Sequence, residues 1–326
     1  MTSWASFALR RQLGQLGHAR LSHHDRQPGT EVNGSTIERA VSEVWGEEDA
    51  SALITVHVGG LRYDRAMDME TVLPFPAEAF QRVLCVVAHP DDVEYGTSSA
   101  VAAWTSQGVD VAYLLLTRGE AGMDASSPEK TARVRMREQI AGSAAVGVSQ
   151  VDFLHYPDGV LVYSLEMRRD IARAIRSYRP DAVLVGSWEV EFVAGLNQAD
   201  HRVAGVAALD AVRDSGNRWV FQELLEEGLE PWSPRWLLVS GDPRPTHGVD
   251  VTGDALERGI ASLEAHTEYL GGIPGHPPPR PMITGVTAVQ GRRFGVAHAV
   301  LFRAYDFHAP PPIAIEAMRL AQASDS

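Results

Sequence analysis

The amino-acid sequence predicts an α/β fold, a Rossmann-like open and mostly parallel sheet flanked by helices. From Val83 onward, short apolar runs alternate with longer segments of helical periodicity, as successive βα units do. The apolar runs are continuous, which is typical of strands that are buried on both faces of a parallel sheet. The length of 326 residues allows one large domain or two modest ones.

The individual elements follow from apolar runs, amphipathic spacing and helix breakers. Helix 97–107 is rich in Ala and ends at Gly108, and helix 165–178 ends before Pro180. The predicted strands are 83–88, 109–116, 151–154, 181–187, 236–240 and 295–304. The predicted helices are 97–107, 128–146, 165–178, 201–215 and 253–270.

One of these helices and two of the connecting segments carry further expectations. Helix 128–146 is expected to present its charged side chains to solvent. These charged side chains are Arg133, Arg135, Arg137 and Glu138. The connection 188–200 is long, which favours a functional loop over a plain connector. The segment 271–281 is rich in Pro and Gly, so we expect it to be irregular and able to form part of a substrate rim.

The first part of the chain does not follow the βα pattern. We predict an N-terminal extension over residues 1–71 and a main domain over 72–326. The extension has helical spacing at 35–45 and alternation typical of a strand at 53–58. It could serve as a lid, an oligomer contact or a packing accessory. Residues 73–76 are interpreted as an extended linker into the main domain.

Composition and charge exclude several classes of protein. The formal net charge of −13, without any basic cluster, argues against a nucleic-acid partner. No apolar run approaches the roughly 20 residues of a membrane span, and the N-terminal segment lacks the apolar core of a secretory signal. Cys85 is the only cysteine and forms no internal disulfide, so we expect a cytoplasmic protein. Homo-oligomerisation is left open.

The segment after the first predicted strand concentrates chemically reactive side chains. His89, Asp91 and Asp92 leave the strand end in quick succession, where open α/β sheets bind ligands. Pro90 restricts the turn before the helix that we predict to start near Thr97. His89 and Asp92 can approach one divalent ion from the same side, while Asp91 stays free to handle protons. Helix capping would explain an aspartate here but not the histidine.

His201 is the natural third protein ligand for such an ion. It begins the helix 201–215 just after a strand-end loop, so it is expected to project toward the same crevice. Two histidines and one carboxylate leave a tetrahedral zinc ion one open position for water. The sequence therefore predicts a Zn²⁺ site formed by His89, Asp92 and His201. No G-x-G-x-x-G follows the first strand, which argues against a dinucleotide-dependent dehydrogenase.

Four segments give the chain a resemblance to a known family. They are Ala88-His-Pro-Asp-Asp-Val-Glu94, Arg118-Gly-Glu120, His155-Tyr-Pro-Asp-Gly159 and Asn197-Gln-Ala-Asp-His-Arg-Val-Ala-Gly205. With these segments in this order, the chain resembles the LmbE/PIG-L-like zinc-dependent N-deacetylases, which remove acetyl groups from N-acetylglucosamine units and related amides. The resemblance extends from about residue 72 to residue 305.

The resemblance implies the same three metal ligands and a role for Asp91 as the general base. It also implies that Arg118 and Asp158 hold the hydroxyls of a small amino-sugar or glycoconjugate substrate. A forked guanidinium and a carboxylate suit such donor and acceptor roles. Taken without the family, Arg118 has an equal claim to be a surface ion pair, and Asp158, which precedes Gly159, has an equal claim to be a turn former.

The chain departs from the family pattern at Gln198. In several relatives the second motif reads His-Pro-Asp-His, and its first histidine is thought to stabilise the oxyanion or to protonate the amine. A glutamine amide can donate a hydrogen bond to an oxyanion, but it cannot deliver a proton at neutral pH. The general acid would then be Asp91, after it has taken the proton of water, or a histidine. We place His266 first and His298 second.

Asp200 is a secondary candidate that could orient His201 or another group from outside the metal ligands. These residues together predict a zinc-dependent hydrolase that removes an N-acetyl or other acyl group from an amino sugar or its conjugate. Two alternatives are open. One is an amidase that acts on a larger thiol or antibiotic conjugate, and the other is a carbohydrate-binding relative without turnover, which the glutamine at 198 suggests.

Overall fold

A computed structural model describes residues 71–76 and 78–310 of the chain. The predicted N-terminal extension lies outside these residues except for Thr71. Its helix, its strand and the boundary at residue 71 therefore stay predictions. No helix within 71–76 and 78–310 combines the length and the apolar character that a membrane span requires.

Ten strands occur in the described part of the chain. They are β1 (Leu73–Pro74), β2 (Arg82–Val87), β3 (Asp110–Leu115), β4 (Gln150–Phe153), β5 (Ala182–Gly186), β6 (Glu191–Phe192), β7 (Gly195–Leu196), β8 (Trp236–Ser240), β9 (His247–Asp250) and β10 (Ala299–Asp306). Eight of them form one sheet in the order β1-β9-β10-β8-β5-β2-β3-β4, while β6 and β7 form a separate hairpin. Within the large sheet only β10 runs antiparallel to its neighbours. The predicted mostly parallel sheet is confirmed.

Nine helices flank this sheet in the described part of the chain. They are α1 (Asp92–Gly96), α2 (Ser98–Ser106), α3 (Pro128–Ala145), α4 (Leu165–Tyr178), α5 (Ala199–Ser215), α6 (Glu223–Glu226), α7 (Asp254–Glu264), α8 (Thr267–Gly271) and α9 (Pro279–Phe294). The five strands predicted between residues 83 and 240 occur within one residue of their expected bounds.

Strand β2 lies at the centre and is covered on both faces. Cys85 packs with Trp104 of α2 on one face. Leu84 packs with Ile171 of α4 and Ala207 of α5 on the other face. Each fully buried aliphatic side chain of this kind contributes roughly 1.5–3 kcal/mol. The continuous apolar run of β2 thus reflects burial from two sides.

The strand order reverses at β2. The chain runs from β2 to β3 and β4 at one edge of the sheet, and then returns to β5 on the other side of β2. This reversal between β2 and β5 is a topological switch point, outside which open α/β sheets bind ligands. The loops that follow β2 and β5 therefore lie at the expected place for a site.

Several expectations for the C-terminal region were wrong. The single helix predicted at 253–270 is two helices, α7 and α8, and His266 lies between them. The irregular segment predicted to reach residue 281 ends where Pro279 begins α9, because proline is tolerated in a first helical turn. The last strand starts at Ala299 because α9 continues to Phe294. Strand β9 was missed, since its four residues give too short a pattern.

Two expectations near the N-terminal end of the main domain were also wrong. Leu73 and Pro74 do not form a linker but pair in parallel with His247 and Gly248 of β9. Proline is compatible with this position because β1 is an edge strand. The first helix begins directly at Asp92, five residues earlier than expected near Thr97, so the reactive turn is tighter than the sequence indicated.

Candidate metal centre and active site

The loop after β2 holds His89, Asp91 and Asp92 in a strained turn. Asp91 adopts the left-handed conformation, with φ 90° and ψ −14°, which is uncommon for a residue other than glycine. The backbone N–H of His89 donates to Oδ2 of Asp92 at 2.9 Å, and that of Asp91 donates to Oε1 of Gln139 at 2.8 Å. These contacts fix the directions in which the three side chains leave the turn.

The three predicted metal ligands converge. Nε2 of His201, at the start of α5, lies 3.1 Å from Oδ1 of Asp92, and Nδ1 of His89 lies 3.7 Å from Oδ2 of Asp92. One ligand atom from each residue can be chosen so that all lie within 4.8 Å of one another. Two imidazole nitrogens and a carboxylate oxygen form a donor set that suits zinc and other divalent transition metals. The residues present therefore fit a metal ion.

The second ring nitrogen of His89 faces two carboxylates. Nε2 lies 3.0 Å from Oδ1 of Asp158 and 3.2 Å from Oδ2 of Asp200. Asp200 also accepts the backbone N–H of Gly159 at 2.7 Å and that of Leu161 at 3.0 Å. Burial opposes the charged form of His89, but Asp92 and these two carboxylates raise its pKa well above the usual value. A carboxylate on the outer nitrogen of a ligating histidine is typical of metal sites.

Asn197 fixes the orientation of His201. Its Oδ1 lies 3.2 Å from Nδ1 of His201, which directs Nε2 toward Asp92. The amide of Asn197 donates in turn to the carbonyls of Ser187 at 2.5 Å and Glu189 at 3.1 Å, in the loop after β5. Sequence reasoning did not assign this role, although Asn197 begins the second motif four residues before His201.

Asp91 is buried beside Arg135 of α3. Nη2 of Arg135 lies 3.0 Å from Oδ1 of Asp91. Burial raises the pKa of Asp91 to about 6, against the opposing positive charge of Arg135. Arg135 and Glu138 are only 3% and 5% exposed, so the expectation that they form a solvated face was wrong for both. It holds for Arg133 and Arg137, which are exposed.

Asp158, Arg118 and Gln198 lie in three different environments. Asp158 is engaged inside the protein, because its Oδ2 accepts the N–H of Ala121 at 2.8 Å while its Oδ1 faces His89. Arg118 is partly exposed in a depression of about 310 Å³ that Met136 and Arg133 of α3 also line. Gln198 precedes α5 and makes no side-chain capping bond, so its amide is not used to cap the helix.

The structure does not bring His266 or His298 to this group. His266 is fully buried, and burial lowers its pKa to about 3, so the ring is neutral at neutral pH and lacks the second, acidic proton that a general acid would deliver. His298 bonds to Thr287 and Thr252 at the start of β10. Residue type alone favours these histidines as general acids, and this expectation is wrong: in the described part of the chain, neither contacts the His89, Asp92 and His201 group.

The fold and the site together define a class: α/β proteins with a His-Asp-His group that could hold a metal ion at the switch point of a mostly parallel sheet. Residues 84–212 match the family described as PIG-L: GlcNAc-PI de-N-acetylase. The diacetylchitobiose deacetylase of Thermococcus kodakarensis is 30% identical over 194 residues, which cover 59% of this chain and 71% of that protein. The chain belongs to the PIG-L (LmbE-like) family.

Two further proteins extend the similarity. The 1D-myo-inositol 2-acetamido-2-deoxy-alpha-D-glucopyranoside deacetylase of Kineococcus radiotolerans is 28% identical over 250 residues, covering 58% of this chain and 69% of that protein. The N,N'-diacetylchitobiose deacetylase from Pyrococcus horikoshii, solved with an inhibitor, superposes with a TM-score of 0.65 at 22% identity. That superposition covers 89% of this chain and 100% of the other, and it shows the shared fold.

Proposed function

We propose that the protein is a zinc-dependent hydrolase that removes the N-acetyl group from an amino sugar or its conjugate. The observation that carries this proposal is the convergence of His89, Asp92 and His201 within 4.8 Å, with Asp91 adjacent in the same turn. The named relatives support it, because both act on an N-acetylated glucosamine unit by their descriptions while the remainder of their substrates differs.

The roles follow from the positions of the side chains. His89, Asp92 and His201 would hold the ion, which supplies Lewis acidity toward the acetyl carbonyl and lowers the pKa of a water ligand. Asp91 accepts the proton of the attacking water and passes it to the leaving nitrogen, so that acetate and a free amine result. With His266 and His298 outside the group, Asp91 is our candidate for both base and acid.

Gln198 is our candidate for the group that stabilises the oxyanion. It lies three residues before His201 and is half-buried, with its amide not used in capping α5. An amide N–H can donate to the oxygen that becomes negatively charged in the tetrahedral transition state. Arg118 would bind substrate hydroxyls, and its Nε atom has no hydrogen-bond partner among the described residues.

Acetate release tests this proposal. Zinc-loaded protein is incubated with N-acetylglucosamine, N,N'-diacetylchitobiose, a glucosaminyl-inositol acetamide and an acylated antibiotic conjugate. We expect acetate from at least one sugar and a loss of that release when Asp92 is replaced by Asn. Release from the conjugate alone would support the larger-substrate amidase. Metal binding without turnover on any of these compounds would favour a binding protein.

A further inference from the structure

Helix α3 directs one face toward the active site. Arg135, Glu138 and Gln139 are spaced i, i+3 and i+4, so their side chains lie on the same side of the helix. All three are buried, at 3%, 5% and 1% exposure. Buried polar side chains are almost always hydrogen-bonded, so the partners of this face show which groups it holds.

Arg135 joins two loops that leave adjacent strands. On the β2 side it contacts Oδ1 of Asp91 at 3.0 Å and donates from Nη2 to the carbonyl of Pro90. On the β3 side it donates from Nη1 to the carbonyl of Gly119 at 3.3 Å. Gly119 lies between Arg118 and Glu120, the segment that carries the candidate substrate arginine. One guanidinium therefore bridges the candidate base and the candidate substrate-binding loop.

The glycines of the second loop are needed to admit this guanidinium. A Cβ atom at Gly119 would lie 2.5 Å from Nη1 of Arg135, and one at Gly122 would lie 2.6 Å from the same atom. Gly119 also has a φ of +67°, whereas the backbone of Gly122 is compatible with other residues. Glycine is therefore needed at position 122 to leave space for Arg135, and not to allow a special backbone conformation.

Gln139 and Glu138, the other two residues of this α3 face, fix the segments that pack around Arg135. Gln139 accepts the backbone N–H of Asp91, whose left-handed conformation persists only if its surroundings enforce it. Glu138 accepts the N–H groups of Glu268 and Tyr269 at 2.6 and 3.2 Å, which fixes the start of α8. The ring of Tyr269 then lies 4.0 Å from the centre of the Arg135 guanidinium.

Stability alone does not explain the buried contacts of Arg135. Nε of Arg135 is buried without a hydrogen-bond partner in the described part of the chain. Replacing a buried ion pair by apolar side chains of similar volume is often neutral or stabilising. A buried arginine with an unsatisfied donor therefore points to a role in placing the groups that it contacts.

We propose that Arg135 is a positioning residue of the active site. It sets the orientation of the Asp91 carboxylate and fixes the distance from that carboxylate to the Arg118-Gly119-Glu120 loop. This inference rests on the proposed function, in which Asp91 handles the proton and Arg118 binds the substrate. A displacement of about 1 Å in such a group can lower turnover about 100-fold.

Substitution at Arg135 tests the proposal by its pattern of kinetic effects. In Arg135→Met, we expect kcat to fall about 100-fold with an unchanged zinc content, and KM to rise several-fold because the substrate loop is released. Arg135→Lys should recover part of kcat, because an ammonium can replace one contact but cannot bridge both loops. The matched control is Arg137→Met on the exposed side of α3, where Arg137 pairs with Glu268, and it should behave as wild type.

A second variant displaces Arg135 without removing its charge. In Gly122→Ala the new methyl group meets Nη1 of Arg135, so kcat should fall at least ten-fold while the protein remains folded and zinc-loaded. The control is Gly285→Ala in α9, where no atom lies within 4 Å of the new Cβ. If Arg135→Met and Gly122→Ala both keep wild-type kcat and KM, the proposal is overturned.

Crystal structures of wild type and Gly122→Ala separate this proposal from the proposed function. We expect the Asp91 carboxylate to shift and its backbone to leave positive φ in the variant, whether or not a substrate has been found. An unchanged Asp91 in the variant overturns the positioning role. If the wild type releases no acetate but Gly122→Ala shows the shift, the deacetylase proposal alone is overturned.

Discussion

At the scale of single residues, His89 is the most constrained member of the site because both of its ring nitrogens face carboxylates. Nδ1 faces Asp92 at 3.7 Å, and Nε2 faces Asp158 and Asp200 at 3.0 and 3.2 Å. Metal binding requires a neutral imidazole, and in the neutral ring the better acceptors on the Nε2 side hold the single remaining proton there. The lone pair of Nδ1 is then left for the metal, which is the tautomer that the proposed site requires.

The two carboxylates beside Nε2 of His89 can be tested by neutralising substitutions. Asp200→Asn should weaken metal binding roughly 10- to 100-fold, since it removes an acceptor from His89 and loosens the 159–161 backbone. Metal affinity is measured by competition with a chelator. Asp158→Asn separates the two roles of that residue: a similar loss of affinity supports its contact with His89, whereas a raised KM at unchanged affinity supports the predicted contact with the sugar.

Asp91 gives the second prediction at this scale. Asp91→Asn keeps the size of the side chain but removes its ability to accept a proton, so kcat should fall roughly 10²- to 10⁴-fold while bound zinc is unchanged. The control is Asp124→Asn, which changes an exposed aspartate in the loop after Glu120 by the same chemistry. Full activity in Asp91→Asn would mean that another group is the base.

The residue scale also shows where sequence reasoning was limited. His89, Asp91 and Asp92 were identified because they are neighbours in the chain. Helical periodicity predicts a solvent-facing Arg135, since it identifies a polar face but not the loop that packs against it. His266 was nominated because a histidine was needed, and no feature of the sequence signalled its complete burial.

At the scale of elements, the close approach of α7 to α2 depends on Gly259. A Cβ there would lie 2.8 Å from the backbone N and Cα of Ser99 and 2.0 Å from its Oγ. Since backbone atoms cannot move aside as a flexible side chain can, the helices are packed as closely as glycine allows. Strong periodicity and clear breakers made α3 and α4 predictable, but this contact between distant segments was not.

Gly259→Ala should therefore destabilise the protein by roughly 1–3 kcal/mol, through overpacking between α2 and α7. The matched substitution Gly285→Ala places the same methyl group in open space within α9. It should be neutral or stabilise by up to about 1 kcal/mol, because alanine favours the helix and reduces the entropy of the unfolded chain. Urea denaturation of both variants checks the difference, and equal midpoints would contradict it.

At the scale of the whole molecule, the switch point between β2 and β5 brings together residues that are more than a hundred positions apart. Asp92 follows β2, and His201 follows the loop after β5. The order of sequence motifs indicated this convergence, because buried parallel strands deliver their loops to one edge. The short β9 and the proline-initiated α9 were not indicated, since β9 has only four residues and α9 begins within a segment rich in proline.

A metal ion held by these loops would couple metal binding to global stability. Removal of the ion by a chelator should lower the melting temperature, and zinc at 100 times its Kd should restore about 2.7 kcal/mol. Differential scanning calorimetry with and without zinc measures this. His201→Ala should be insensitive to added zinc, whereas a zinc response equal to that of wild type would place the ion elsewhere.

Anomalous X-ray diffraction at the zinc absorption edge tests the central claim most directly. For crystals of the zinc-loaded protein, we expect one strong peak within bonding distance, about 2.0–2.2 Å, of His89, Asp92 and His201. A peak at other residues, or none at this position in protein that contains zinc, would contradict it.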